Sequence, residues 1–143
     1  MSLETIQSVI PHRPPFLLID EVVEQTKDQI VCRKCFTGDE FWYQGHYPDY
    51  PLTPGVLLCE ASLQAGAVLL SKQAAEQSGK VPVATRLNNV QFKKMVRPGD
   101  SIEITVDLVE RLAAAYFMKA RVTVGGKLAM RCEFACTMTE QQS

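Results

Sequence analysis

An α+β fold, in which one antiparallel β-sheet wraps round a single long helix, is what the sequence predicts. Three observations carry that prediction. From Gly55 to about Ser78 no proline interrupts VLLCEASLQAGAVLLSKQAAEQS, and its front part is apolar almost all round, the mark of a helix buried on every side. The stretches before and after it have the β-branched, partly alternating texture of strands. Arg97-Pro98-Gly99-Asp100 and Gly125-Gly126 supply turn signals between the later strands. A helix that is apolar all round must be covered, and strands on both sides of it provide the cover.

In chain order, LETIQSVI reads as a short amphipathic helix stopped by Pro11. FLLIDEVVEQ and DQIVCRKCFT then read as two paired strands. From Gly38 to Gly55 the chain carries Pro48, Pro51 and Pro54 with Tyr43, Tyr47 and Tyr50, too much proline for regular structure and too many aromatics for a disordered linker. An ordered loop is expected there. The long helix should extend for roughly 35 Å at about 1.5 Å per residue, with Gly79 as its C-cap and with Lys72, Gln73, Glu76 and Gln77 solvating its last turns. Four further strands are expected in PVATRLNNVQFKKMV, SIEITVDLVER, AAYFMKARVTV and KLAMRCEFACTMT.

The 143 residues, 46% of them hydrophobic, are read as a single domain, 1–143, that can bury a core without disulfides or metal. A formal net charge of −1 with 22% charged residues excludes a broad attraction to nucleic acid or to membrane surfaces. No basic-then-apolar leader is seen and no apolar run approaches the roughly 20 residues that span a bilayer, so a cytoplasmic protein without membrane insertion is expected. The five cysteines are Cys32, Cys35, Cys59, Cys132 and Cys136. Their odd number, without a leader, favours reduced thiols. The spacings Cys32-x-x-Cys35 and Cys132-x-x-x-Cys136 invite a zinc reading, but strand alternation would send Cys32 and Cys35 to opposite faces, so the expectation is buried small hydrophobes and no metal.

The chemistry centres on GHYPDYPLTPGVLLCEASLQ, Gly45 to Gln64. Glu60 is the single carboxylate on the apolar front of the helix. Burying an ionised carboxylate unpaired costs several kcal/mol, so Glu60 needs a partner, a proton or access to a cavity. Gln64, four residues on, shares its face and can donate to it. That pairing alone would make Glu60 a polar buttress, and this reading stays open. His46 lies nine residues before the helix start at Pro54-Gly55, whose free N–H groups and positive dipole end can hold an oxyanion. A base, an acid and an oxyanion donor form the set needed for proton abstraction beside a carbonyl. His12, in PHRPPF, reads as a hydrogen-bonded loop residue.

IPHRPPFLLIDEV, then GHYPDYPLTPGVLLCEASLQAG, then VQFKKMVRPGDSIEI, in this order, resemble the β-hydroxyacyl-acyl carrier protein dehydratases of type II fatty acid synthesis across nearly the whole chain. The resemblance implies the hot-dog fold, an antiparallel sheet around one long helix. It implies that His46 takes the C2 proton of a 3-hydroxyacyl thioester, that Glu60 protonates the departing hydroxyl, and that the Gly55 N–H polarises the thioester carbonyl. Val56, Leu57 and Gln64 are expected beside the substrate. No cofactor is implied. The partner implied is an acyl carrier protein, and a homodimer, with trimers of dimers in some relatives, would bring His46 of one protomer to Glu60 of the other. Glutamate as the acid points to the dehydratase branch rather than the bifunctional dehydratase/isomerase. Tyr47, Asp49, Tyr50 and Thr53 depart from the residues usual beside the site, and ERLAAAYFMK lacks a basic, tryptophan-bearing pattern common in relatives.

Leu57, Leu58, Leu63 and the phenylalanines are read either as core or as the lining of an acyl tunnel. Lys93, Lys94 and Arg97, with Arg86, are read either as a solvated strand edge or as a landing place for an acidic carrier. Two other functions remain as alternatives: a hot-dog acyl thioesterase, and a non-catalytic acyl-binding subunit.

Overall fold

The computed structural model describes residues 2–47, 49–77 and 80–140. The chain opens with α1 (Leu3–Val9), in which the Ser2 hydroxyl accepts from the Thr5 N–H and so caps the first turn. Next come β1 (Glu21–Gln25) and β2 (Gln29–Cys35), antiparallel, with Ile30 opposite Gln25. Leu17, Leu18 and Ile19, which the sequence assigns to the first strand, are buried but precede it. After a 3₁₀ turn over Phe41–Gln44 the chain enters α2 (Gly55–Leu69) and α3 (Ser71–Glu76), and then β3 (Lys80–Phe92), β4 (Ser101–Leu112), β5 (Ala115–Val124) and β6 (Lys127–Glu140).

The six strands form one antiparallel sheet in the order β1-β2-β4-β5-β6-β3, and α2 contacts β2, β3, β4, β5 and β6. The fold is therefore the hot-dog arrangement expected. Alternation along the strands builds the concave face: Ile102, Ile104 and Val106 of β4, Met118, Ala120 and Val122 of β5, and Met130, Cys132 and Phe134 of β6 are all buried. The helix lies on them with small residues. A Cβ on Gly66 would stand 2.9 Å from Phe134 Cζ and 3.3 Å from Met118 Sδ, so a side chain there would push the helix off the sheet.

One long helix was expected; two are found. Leu70 sits at φ −88°, ψ 0°, out of helical geometry. The Ser71 hydroxyl donates to the Val68 carbonyl at 2.7 Å, taking up an acceptor that an uninterrupted helix would use for its own backbone. Gly79, the expected C-cap, lies outside the described residues. The buried-front, solvated-back reading holds for α2 against α3, except at the first turn of α2, where Val56 is 70% exposed.

The turn between β4 and β5 carries Ala113 at φ +55°, whereas Gly125 and Gly126, at φ +57° and +80°, make the glycine turn expected between β5 and β6. Cys32 is buried and Cys35 exposed, as strand alternation requires, and all five cysteines are free thiols.

Candidate active site

The loop that precedes α2 is pinned at several points. Tyr43 Oη and Thr53 Oγ1 share a buried hydrogen bond of 2.5 Å, and the Thr53 N–H donates to the Val96 carbonyl at 2.8 Å. The Arg97 guanidinium lies 4.5 Å from the Tyr50 ring centroid. Tyr43 and Tyr50 thus tie the described part of this loop to its neighbours.

His46 hangs from this loop with Nδ1 3.0 Å from the Leu52 carbonyl oxygen. A carbonyl can only accept, so Nδ1 carries the hydrogen and Nε2 keeps a basic lone pair. The ring is half-buried in the wall of a cavity of about 550 Å³, whose lining includes Gly55, Val56, Leu58, Phe92 and Lys93. Tyr47, also in the wall, meets the His46 ring edge to face at 4.8 Å. Its φ of +53° is a left-handed conformation that costs a non-glycine residue energy and that the surrounding contacts must hold.

Gly55 opens α2 after Pro54, which contributes no side-chain cap. In this first turn the Leu57 N–H donates to the Pro54 carbonyl at 2.9 Å, while the N–H groups of Gly55 and Val56, two residues of the cavity lining, find no acceptor among the described residues and lie at the positive end of the helix dipole. A Cβ on Gly55 would stand 2.7 Å from Phe92 Cε1. The Phe92 ring covers the backbone here, so any side chain at this position would have to displace that ring.

Glu60 lies one and a half turns further on, with its side chain 24% exposed. Oε2 accepts from Gln64 Nε2 at 3.0 Å and stands 3.8 Å from His12 Nε2. Gln64 has no exposed surface; its Oε1 accepts from the Leu18 N–H at 2.7 Å and its Nε2 also donates to the Phe16 carbonyl at 2.8 Å. Those backbone partners fix which way round the amide sits, so the group facing Glu60 is a donor.

Of the residues singled out from the sequence, His46, Gly55, Val56 and Leu58 come together in one cavity. Glu60 does not line it. Leu57 and Leu63 pack against the core, and the Gln64 amide is fully engaged by protein groups. His12 is not the hydrogen-bonded loop residue expected: its Nδ1 is buried with no hydrogen-bond partner among the described residues, and its Nε2 faces Glu60. Burial pushes its pKa below the ordinary imidazole value, Glu60 opposes that shift and Arg13 adds to it, so the ring is held toward its neutral form. Phe92, one of the phenylalanines read as core or tunnel lining, does line the cavity; its place over the Gly55 helix start is what a strand's own pattern does not show.

A six-stranded sheet wrapped on a helix whose N-terminus is offered to a histidine-bearing cavity defines a hot-dog protein with the makings of an acid–base site. The fold alone is shared widely: the dehydratase heterocomplex ApeI:P from Xenorhabdus doucetiae aligns at TM-score 0.79 and 14% identity over 95% of this chain and 91% of that one. An Asp52Ala mutant of a hypothetical thioesterase protein from Streptococcus pneumoniae aligns at TM-score 0.65 and 15% identity, over 85% of this chain and 91% of that one. Sequence narrows the class: residues 10–133 match the FabA-like domain, and the chain belongs to that family. The 3-hydroxyacyl-[acyl-carrier-protein] dehydratase FabZ of Clostridium perfringens (strain SM101 / Type A) is 45% identical over 130 residues, 90% of this chain and 92% of the relative. FabZ of Streptococcus pyogenes serotype M1 is 42% identical over 139 residues, 95% of this chain and 99% of the relative.

Proposed function

We propose that the protein is a one-domain, cytoplasmic 3-hydroxyacyl-[acyl-carrier-protein] dehydratase of fatty acid biosynthesis, interconverting (3R)-hydroxyacyl and trans-2-enoyl thioesters. The observation that carries the reading is His46, held through Nδ1 by the Leu52 carbonyl, in the wall of a cavity that the Gly55 helix start also lines. The names borne by relatives at 42–45% identity support it. Nε2 takes the C2 proton while the Gly55 N–H receives charge developing on the thioester oxygen. Glu60 gives a proton to the C3 hydroxyl, which leaves as water. Val56, Lys93 and Lys94 line that cavity, and the two lysines, with Arg97 close in sequence, supply the positive charge that an acidic carrier protein would meet.

The acid comes from a second copy of the chain. Within one chain Glu60 faces His12 and Gln64 instead of the His46 cavity. β3 is an edge strand of thirteen residues with Val83, Leu87 and Phe92 exposed, and such an edge invites pairing with another copy. Among the described residues no helix is long and apolar enough to cross a membrane.

The test is to mix His46→Ala and Glu60→Ala proteins, each inactive, and let subunits exchange. Recovered dehydration is expected, since one of the two sites in a mixed dimer holds both intact groups. Failure of proven heterodimers to turn over would place both groups in one chain's site. Release of free thiol at the rate of substrate loss would transfer the assignment to a thioesterase.

A further inference from the structure

Accepting the site just described, we propose that His12 is a positioning residue for Glu60: it holds Oε2 through a neutral imidazole N–H and leaves Oε1 as the oxygen that delivers the proton. Two donors converge on one oxygen. Gln64 Nε2 donates to Oε2 at 3.0 Å, and His12 Nε2 stands 3.8 Å from the same atom, while Oε1 accepts no hydrogen bond among the described residues. At 3.8 Å the imidazole contact is longer than a hydrogen bond, and catalytic hydrogen bonds in empty sites are commonly long and tighten when substrate closes the site.

The ring is built in rather than hung out. It stacks on Phe16 with centroids 6.5 Å apart and planes 17° from parallel, and Phe16 in turn accepts from Gln64. The Arg13 guanidinium donates to the carbonyls of Ile10 and His12 at 2.9 and 2.8 Å, tying down the backbone on both sides of the ring. Nδ1 is buried without a partner among the described residues. A buried nitrogen that can donate to nothing is better left as the unprotonated one, which puts the hydrogen on Nε2, facing Glu60. Burial and the Arg13 charge favour that neutral form, against the pull of Glu60.

The step balances as follows. The O–H bond at Oε1 breaks as its proton joins the C3 oxygen, and the C3–O bond breaks with its electron pair leaving on water. The C2–H pair becomes the new C2–C3 π bond, and that proton goes to His46 Nε2. The carboxylate left behind places its charge where His12 and Gln64 already point donors, so little reorganisation is needed.

Three enzymes test this: His12→Phe, which keeps a stacking ring but no donor, His12→Gln, whose amide nitrogen can reach the place of Nε2, and His12→Phe combined with Glu60→Gln. Because misplacing a catalytic group by about 1 Å can cost 10²-fold, His12→Phe is expected to lower kcat roughly ten- to hundredfold with little change in KM. His12→Gln should recover most of that loss. In the Glu60→Gln background His12→Phe should cost nothing further, since a group that acts through Glu60 has nothing left to act on. Wild-type kcat in His12→Phe overturns the proposal, as does a loss of equal size in the Glu60→Gln background, which would mark a packing role and should appear in Tm. Full turnover by Glu60→Gln alone would remove Glu60 from the reaction altogether, an outcome distinct from a failure confined to His12.

Discussion

Two irregular segments flank α2, and each brings one histidine to it. Between residues 46 and 55 the imidazole is tethered through Nδ1 to a backbone carbonyl and lines a cavity. Between residues 12 and 18 the other imidazole has a buried Nδ1 with no partner among the described residues and turns Nε2 to a carboxylate. On the proposed reading the same side chain serves as a base in one place and a donor in the other, and the partner of Nδ1 decides which. Residue type alone does not separate them.

The widest separation between the two segments is expected from His46→Ala. Removing a general base should lower turnover by about 10²–10⁴, more than any His12 substitution, with thermal unfolding nearly unchanged. Equal losses at the two histidines, measured under saturating substrate, would erase the distinction drawn from Nδ1.

Gly55→Ala comes next. The added methyl would stand 2.7 Å from the Phe92 ring, and displacing either the ring or the helix start should cut kcat/KM about tenfold or more. Phe92→Leu combined with Gly55→Ala should restore part of it. The control is Gly66→Ala, whose methyl meets Phe134 at 2.9 Å deep in the sheet and should cost about 1–3 kcal/mol of stability in denaturant melts without touching the rate per folded molecule.

Gln64→Leu tests the 12–18 side. It strands the buried Leu18 N–H, at about 1–3 kcal/mol when unsatisfied, leaves the part-buried Phe16 carbonyl without this donor, and removes a donor from Glu60. Here stability and kcat should fall together, unlike at His46. Coincident loss of structure around residues 12–18 would show as faster amide exchange at Leu18.

The smallest effect is in pH. His12 is held below its ordinary value of 6.5, so as pH falls past that point the unfolded chain binds a proton that the folded ring resists. Stability contributed by neutral His12 is present above the unfolded pKa and is lost as pH falls, and Tm should therefore drop between about pH 7 and about pH 5 by more in the wild type than in His12→Gln. An identical drop in both would assign the effect to other groups.

The sheet around a helix was legible because α2 is apolar nearly all round and because Gly125-Gly126 can make only a turn. Cys32 and Cys35 showed their faces through alternation. The break at Leu70 was not legible, since a serine hydroxyl competing for one carbonyl leaves no trace in hydropathy. Nor was the turn at Ala113, where alanine adopts a conformation ordinarily left to glycine. At the site, His46, Gly55 and Glu60 stood out as polar or flexible residues in the wrong company, and the Gln64–Glu60 bond followed from helical spacing. His12 and Phe92 could not be placed, because each meets its partner across many residues of sequence and no local period records such a meeting.

The strand order also sets when the site can exist. β4, β5 and β6 follow one another through short turns and can pair as neighbours in sequence, whereas Gln29 of β2 reaches Asp107 of β4 across 78 residues. His46 and α2 both lie inside that long loop. Closing it carries an entropic cost that the local hairpins do not, so the meander can be in place before the loop is drawn in. The reacting groups would then acquire their positions among the last events of folding, and substitutions in the β2–β4 ladder should slow the return of activity after dilution from denaturant more than those in the β5–β6 turn.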